Sequence, residues 1–219
     1  MFKVLLAVFL WSSACSTFAP PTVQSKRSTD LEARRIKRIA VLLPSGIAPE
    51  PRVQATYTAS PPEKEEELSE MLARLVYSAM VAMPNWQIVS DSEVREVAQG
   101  IAPGADVARL QKIGAMVYAD AVIVGRVERF RERIGNEWGA KSPASVAFVL
   151  NLIDIRRGDT VWSARFDETQ KPLSENIFAL GQIGQRGIRW LSAEQLTDEG
   201  VRKAVAQLHQ ILVPNPASS

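Results

Sequence analysis

The N-terminus constrains this chain more than any other stretch. Met1-Phe2-Lys3 puts one cation ahead of an unbroken apolar run, Val4 to Trp11 (VLLAVFLW), and the small residues Ser12-Ser13-Ala14 lead to Cys15. A basic start, a short apolar core and a small-residue cleavage site make a secretory signal that is removed from the mature protein. The run is far shorter than the roughly 20 residues needed to cross a bilayer. Residues 1–14 are therefore expected to take no part in the fold. Cys15 is the only cysteine, so no intramolecular disulfide can form. An exported chain with one odd cysteine has a special use for it.

That use is suggested by a resemblance. Ser13-Ala14-Cys15 is similar to the end of the bacterial lipobox, whose cysteine is diacylated and becomes the mature N-terminus. Ser12 stands where that pattern usually has Leu, and ordinary cleavage near Ala14 is the rival. The residue after the cysteine is Ser16, not the Asp that commonly retains lipoproteins in the inner membrane. The resemblance thus implies a palmitate-type anchor on Cys15 and a place on the periplasmic face of the outer membrane. More than one acyl chain anchors stably.

Residues 15–35 are polar, contain Pro20-Pro21 and several Ser and Thr, and read as a flexible tether. The domain proper is expected over 36–212, with 213–219 a disordered tail. With 46% hydrophobic residues the chain can bury a core. Its formal net charge of +2 lacks the clustered basic excess that nucleic acid demands.

Within the domain, Ile39 to Leu43 is a buried strand closed by Pro44-Ser45-Gly46. Leu68, Met71, Leu72, Leu75, Val76 and Ala79 recur at helical spacing behind a capping box at Ser60 to Glu63. A short strand at Trp86 to Val89 and a second capping box, Ser90 to Glu93, follow. Val107, Leu110 and Ile113 mark another helix. Ala121 to Val127 (AVIVGRV) is nearly continuous and β-branched, as a central strand should be. Residues 145–155 and 160–166 flank Arg157-Gly158-Asp159 as a hairpin. Ser192 to Gln195 caps a closing helix through Leu212. The expected fold class is α/β: a single mixed sheet packed against amphipathic helices.

Two segments carry a further resemblance: Arg38-Ile39-Ala40-Val41 with Ala119 to Gly125, and the strand–turn–strand from Leu152 to Trp162. They are similar to the envelope lipoproteins related to CsgG, LpoB, PelC and the N-terminal domain of TolB, over roughly residues 36–212. The resemblance implies a sandwich like the TolB N-terminal domain. It also implies a binding, assembly or scaffolding role, with other envelope proteins as partners and self-association an option; fold likeness assigns no partner. A subunit of a secretion or polysaccharide-export apparatus is the alternative, and an envelope hydrolase the third. The segment from Glu128 to Ser145 is too short and too polar for the membrane hairpins of a pore.

Catalytic signals are poor. Acylation would block the Cys15 thiol, and His209 is the only histidine, so no His cluster can hold a metal. His209, beside Gln207 and Gln210, reads as solvent-facing. There is no P-loop and no G-x-S-x-G elbow. No catalytic residue, metal or cofactor is expected. Gly181 to Gly187 reads as a flexible joint rather than a phosphate cradle. The candidate partner-binding residues are Arg129, Arg131, Arg133, Trp138 and Trp190, because Arg and Trp are favoured interface anchors. Strand alternation puts the three arginines on one side and Phe130 on the other. The rival is a solvated hairpin whose charges pair among themselves.

Overall fold

A computed structural model describes residues 23–42, 62–102, 106–137, 140–170 and 190–213. The strands are β1 (Gln24–Arg27), β2 (Arg38–Val41), β3 (Gln87–Ile88), β4 (Ala121–Arg131), β5 (Ile134–Gly135), β6 (Ala140–Ser142), β7 (Ser145–Asp154) and β8 (Thr160–Thr169), with apolar residues directed to the core in β2, β4, β7 and β8. The helices are α1 (Pro62–Val81), α2 (Asp91–Gln99), α3 (Val107–Met116) and α4 (Ala193–Leu212). Six strands form one mixed sheet in the order β1-β8-β7-β4-β2-β3, and β5 and β6 make a small separate ribbon. β2 runs parallel to β3 and β4, whereas β4, β7, β8 and β1 alternate in direction. The α/β reading holds, and β4 is central.

Each face of the sheet buries its own core. On one face α1 and α4 cover Ile39, Ile123, Phe148, Leu150, Trp162 and Phe166. On the other, α2 and α3 cover Ala40, Val122, Val124 and Ile153, which lie on β2 and the neighbouring parts of β4 and β7. Period-two alternation sends successive residues of β4 to opposite cores. Gly200 of α4 lets the helix sit on Phe166: a Cβ there would lie 2.8 Å from the ring. The capping box at Ser192 forms in full, with Gln195 returning the bond. At Ser90 only the hydroxyl half forms; the Glu93 carboxylate reaches Arg38 at 3.5 Å. The hairpin turn falls where expected, with Gly158 at φ 74°.

Two expectations need correction. The last part of the stretch 15–35 is not tether. Gln24 to Arg27 pairs with β8 from Arg165 to Trp162, and Val23 and Leu31 are buried. These four residues are polar and all exposed because β1 is a sheet edge. Its hold comes from backbone pairing and from the apolar residues that flank it, which alternation within the strand does not reveal. His209 is not free in solvent either. Its Nε2 lies 2.8 Å from the Pro84 carbonyl oxygen and its ring meets Trp86 edge-on at 5.1 Å, fastening the end of α4 beside β3.

Candidate functional site

β4 carries the predicted arginines past the point where helices cover the second sheet face. A bulge at Glu128 shifts the register between Val127 and Arg129. The bulge keeps Phe130 against the α1/α4 core and leaves Arg126, Arg129 and Arg131 on the opposite face. Cross-strand partners on that face come from β7 and β8. Arg129 stands opposite Ala147, which stands opposite Asp167. Ala147 is small, so the guanidinium passes over it to bond the Asp167 carboxylate, while its Nε donates to the Ser145 hydroxyl at 2.8 Å. Glu128 accepts from Arg126 at 3.0 Å and pairs with Arg165. The result is a lattice of charges laid across three strands. Burial works to raise the Asp167 pKa, but Arg129 and Arg165 outweigh it and hold the carboxyl below its ordinary value.

The predicted residues do not form one cluster. Arg129 and Arg131 share the sheet face, and Arg131 is exposed without an ion pair among the described residues. Arg133 has left the strand, and its guanidinium donates to the Trp190 carbonyl oxygen. Trp190 donates its backbone N–H to Glu137 at 2.9 Å. Glu132 accepts the free N–H of Ala193, at 3.1 and 3.2 Å from its two oxygens. That N–H belongs to the first turn of α4, where an anion is stabilising. The stretch 132–137 therefore docks the start of α4 onto the sheet. Arg133 and Trp190 are joined, but through a backbone carbonyl. Trp138, Cys15 and the segment Gly181 to Gly187 lie outside the described residues.

A second charged group gathers around Arg34. Arg34, 7% exposed, bonds Asp30 at 2.9 Å, Asp154 at 3.0 Å and Asp159 at 2.7 Å; Asp154 is 9% exposed. The Asp154 carboxylate also caps the backbone N–H groups of Arg156 and Arg157 at 2.8 and 3.1 Å. Hydrogen bonds from Arg34 lower the Asp159 pKa; Ser28 first, then Arg34, lower that of Asp30. The same carboxylates, Asp159 foremost, raise the Arg34 pKa, so it stays charged. In sequence Arg34 was one basic residue of a run, and nothing local marks it as the buried one. Among the described residues no group of His, Cys, Asp and Glu has the arrangement to hold a metal ion.

No protein-family model and no curated protein matches the chain. Solved structures do resemble it. The PelC dodecamer from Paraburkholderia phytofirmans is 17% identical, with 86% of this chain and 96% of that one covered and a TM-score of 0.47. The LpoB C-terminal domain from Salmonella enterica is 17% identical over 61% and 83%, at 0.35. A lipoprotein from Neisseria meningitidis is 18% identical over 68% and 96%, at 0.36. PelC and LpoB are among the proteins whose strand pattern this sequence resembles. At these TM-scores the likenesses decide nothing about activity.

Proposed function

We propose that this protein is a lipid-anchored envelope module that binds or assembles other proteins and performs no chemistry of its own. Cys15 carries the lipid and the periplasmic face of the outer membrane holds it. One domain does the binding, with Arg129, Arg131, Arg133, Trp138 and Trp190 in or near the contact surface. The observation that carries this reading is how soon the fold begins after the cysteine. From Cys15 to Val23 the chain takes eight steps, at most about 28 Å fully extended. The chain behind the signal is thus stitched into the sheet edge almost at once. A module so closely leashed meets partners at the membrane surface, and its exposed charged sheet face is a surface for such meetings.

The test has three arms. Cys15→Ala is expected to move the protein from the membrane to the soluble fraction, and fatty-acid labelling to mark wild type only. Cross-linking in intact cells, followed by identification of captured proteins, is expected to trap envelope proteins or further copies of the chain. Arg131→Glu is expected to weaken that capture. An unlabelled wild type would end the anchor reading, and turnover of an envelope polymer by the purified protein would end the non-catalytic one.

A further inference from the structure

The end of the sheet that holds the β7–β8 turn carries an exposed helix face and a ring of cations. Helix α3 lies against this end. Val107 touches the space beside Gly158, and Gln111 donates to the Ile155 carbonyl at 2.9 Å. Its inner side is buried through Leu110, Ile113 and Gly114. Its outer side exposes Val107, Ala108, Lys112, Ala115 and Met116, with 52% of Met116 accessible. The stripe contains no carboxylate; Asp106, just before it, is turned to the N–H of Arg109.

Two residues further on, Tyr118 is 82% exposed. It has φ 54°, the left-handed region. The bonds that close the helix require this: Tyr118 N–H to Ala115 O at 3.2 Å and Ala119 N–H to Gly114 O at 2.8 Å. Glycine is the usual occupant of that position because it has no Cβ to crowd the backbone. Here an aromatic residue bears the strain and buries little of its ring. The hydrophobic effect and the backbone preference both oppose its placement, and no contact within the described fold offsets them.

The surrounding charges indicate what such a residue would contact. Arg35, Lys37 and Arg156 are exposed at this end. The nearby acids are engaged, although Asp159 keeps 47% of its side chain exposed. Asp120 accepts the backbone N–H groups of Lys37 and Arg38 at 3.0 and 2.9 Å and lies 3.8 Å from the guanidinium of Arg156, whose side chain is still 76% exposed; Asp154 and Asp159 hold Arg34. An apolar helical stripe ending in a tyrosine and ringed by outward cations fits the interface of an anionic bilayer. We infer that α3, Met116 and Tyr118 rest on the anionic membrane surface and fix how the domain stands on it. This rests on the anchor reading, because the leash from Cys15 to Val23 must reach the same surface.

The test uses the full-length protein purified from membranes. An acylated Cys15 has no free thiol, so Tyr118→Cys, Met116→Cys or Ile134→Cys each supplies one site for an environment-sensitive dye. Ile134, 62% exposed, lies beyond the far end of β4 and serves as the control. In vesicles of phosphatidylethanolamine and phosphatidylglycerol, dyes at 116 and 118 are expected to shift to the blue and to be quenched by brominated lipid. The dye at 134 is expected to stay aqueous. Lys37→Gln and Arg156→Gln are each expected to lower the docked fraction about fivefold relative to undocked. Aqueous emission at 116 and 118 in these vesicles overturns the inference. Shielding already complete in detergent does so too, since another part of the chain or a second copy then covers the stripe. If the parent protein takes the dye at Cys15, the anchor reading fails. Sedimentation of the unacylated chain with the same vesicles then decides the membrane contact by itself, with binding expected and its absence overturning it.

Discussion

The two charged groups are built from the same chemistry and differ in where it is placed. Around Arg34 the arginine and Asp154 are nearly sealed from water, and the partners come from the N-terminal turn and the β7–β8 hairpin. Around Arg129 the partners lie across one open sheet face, and Asp167 is 43% exposed. A sealed pair cannot be broken without stranding a charge, whereas an open pair is replaced by water. The first group therefore clasps two parts of the chain. The second is an open lattice of paired charges that water can reach.

The sharpest way to break this contrast is to remove each arginine in turn. Arg34→Met leaves Asp154 buried beside Asp30 and Asp159 without its cation. It is expected to cost about 3 kcal/mol in urea unfolding and to open residues 23–35 to protease. Arg129→Met is expected to cost no more than about 1 kcal/mol and to leave those residues protected. Equal losses would abolish the distinction.

Acid separates the groups by a second route. The Asp30 and Asp159 pKa values are lowered in the fold from an ordinary 3.8. Their stabilisation is complete above 3.8 and is lost as pH falls through the folded values, when the carboxyls protonate. Wild type is expected to lose protection of residues 23–35 in that window, and Arg34→Met to show little further loss. The smallest effect is expected at Tyr118. Tyr118→Gly relieves the left-handed strain and is expected to raise stability by about 0.5–1 kcal/mol while weakening membrane contact.

Much of the architecture was legible because it is local. The β-branched run at 121–127, the Gly158 turn and the Ser192 box each carry their own signal. β1 was not legible, since Gln-Ser-Lys-Arg at an edge has no apolar alternation, and its place depends on Val23 and Leu31 finding a distant core. The same division runs through the candidate site. Period two put Arg129 and Arg131 on one face opposite Phe130. It gave no hint that Arg133 would bond a carbonyl of Trp190, or that Asp167 would meet Arg129 over Ala147.

The edge position of β1 has a mechanical consequence. Any tension on the chain ahead of Val23 is delivered first to four backbone pairs beside β8. Edge pairs loaded from one end open in sequence, like a zipper, and resist weakly. The opening runs next into the Asp30–Arg34 clasp, where several bonds must part together. Freed, residues 23–35 could extend to at most about 45 Å in all, with β2 as a firm stop because both its neighbours hold it. The fold thus holds a reserve of slack behind an electrostatic catch.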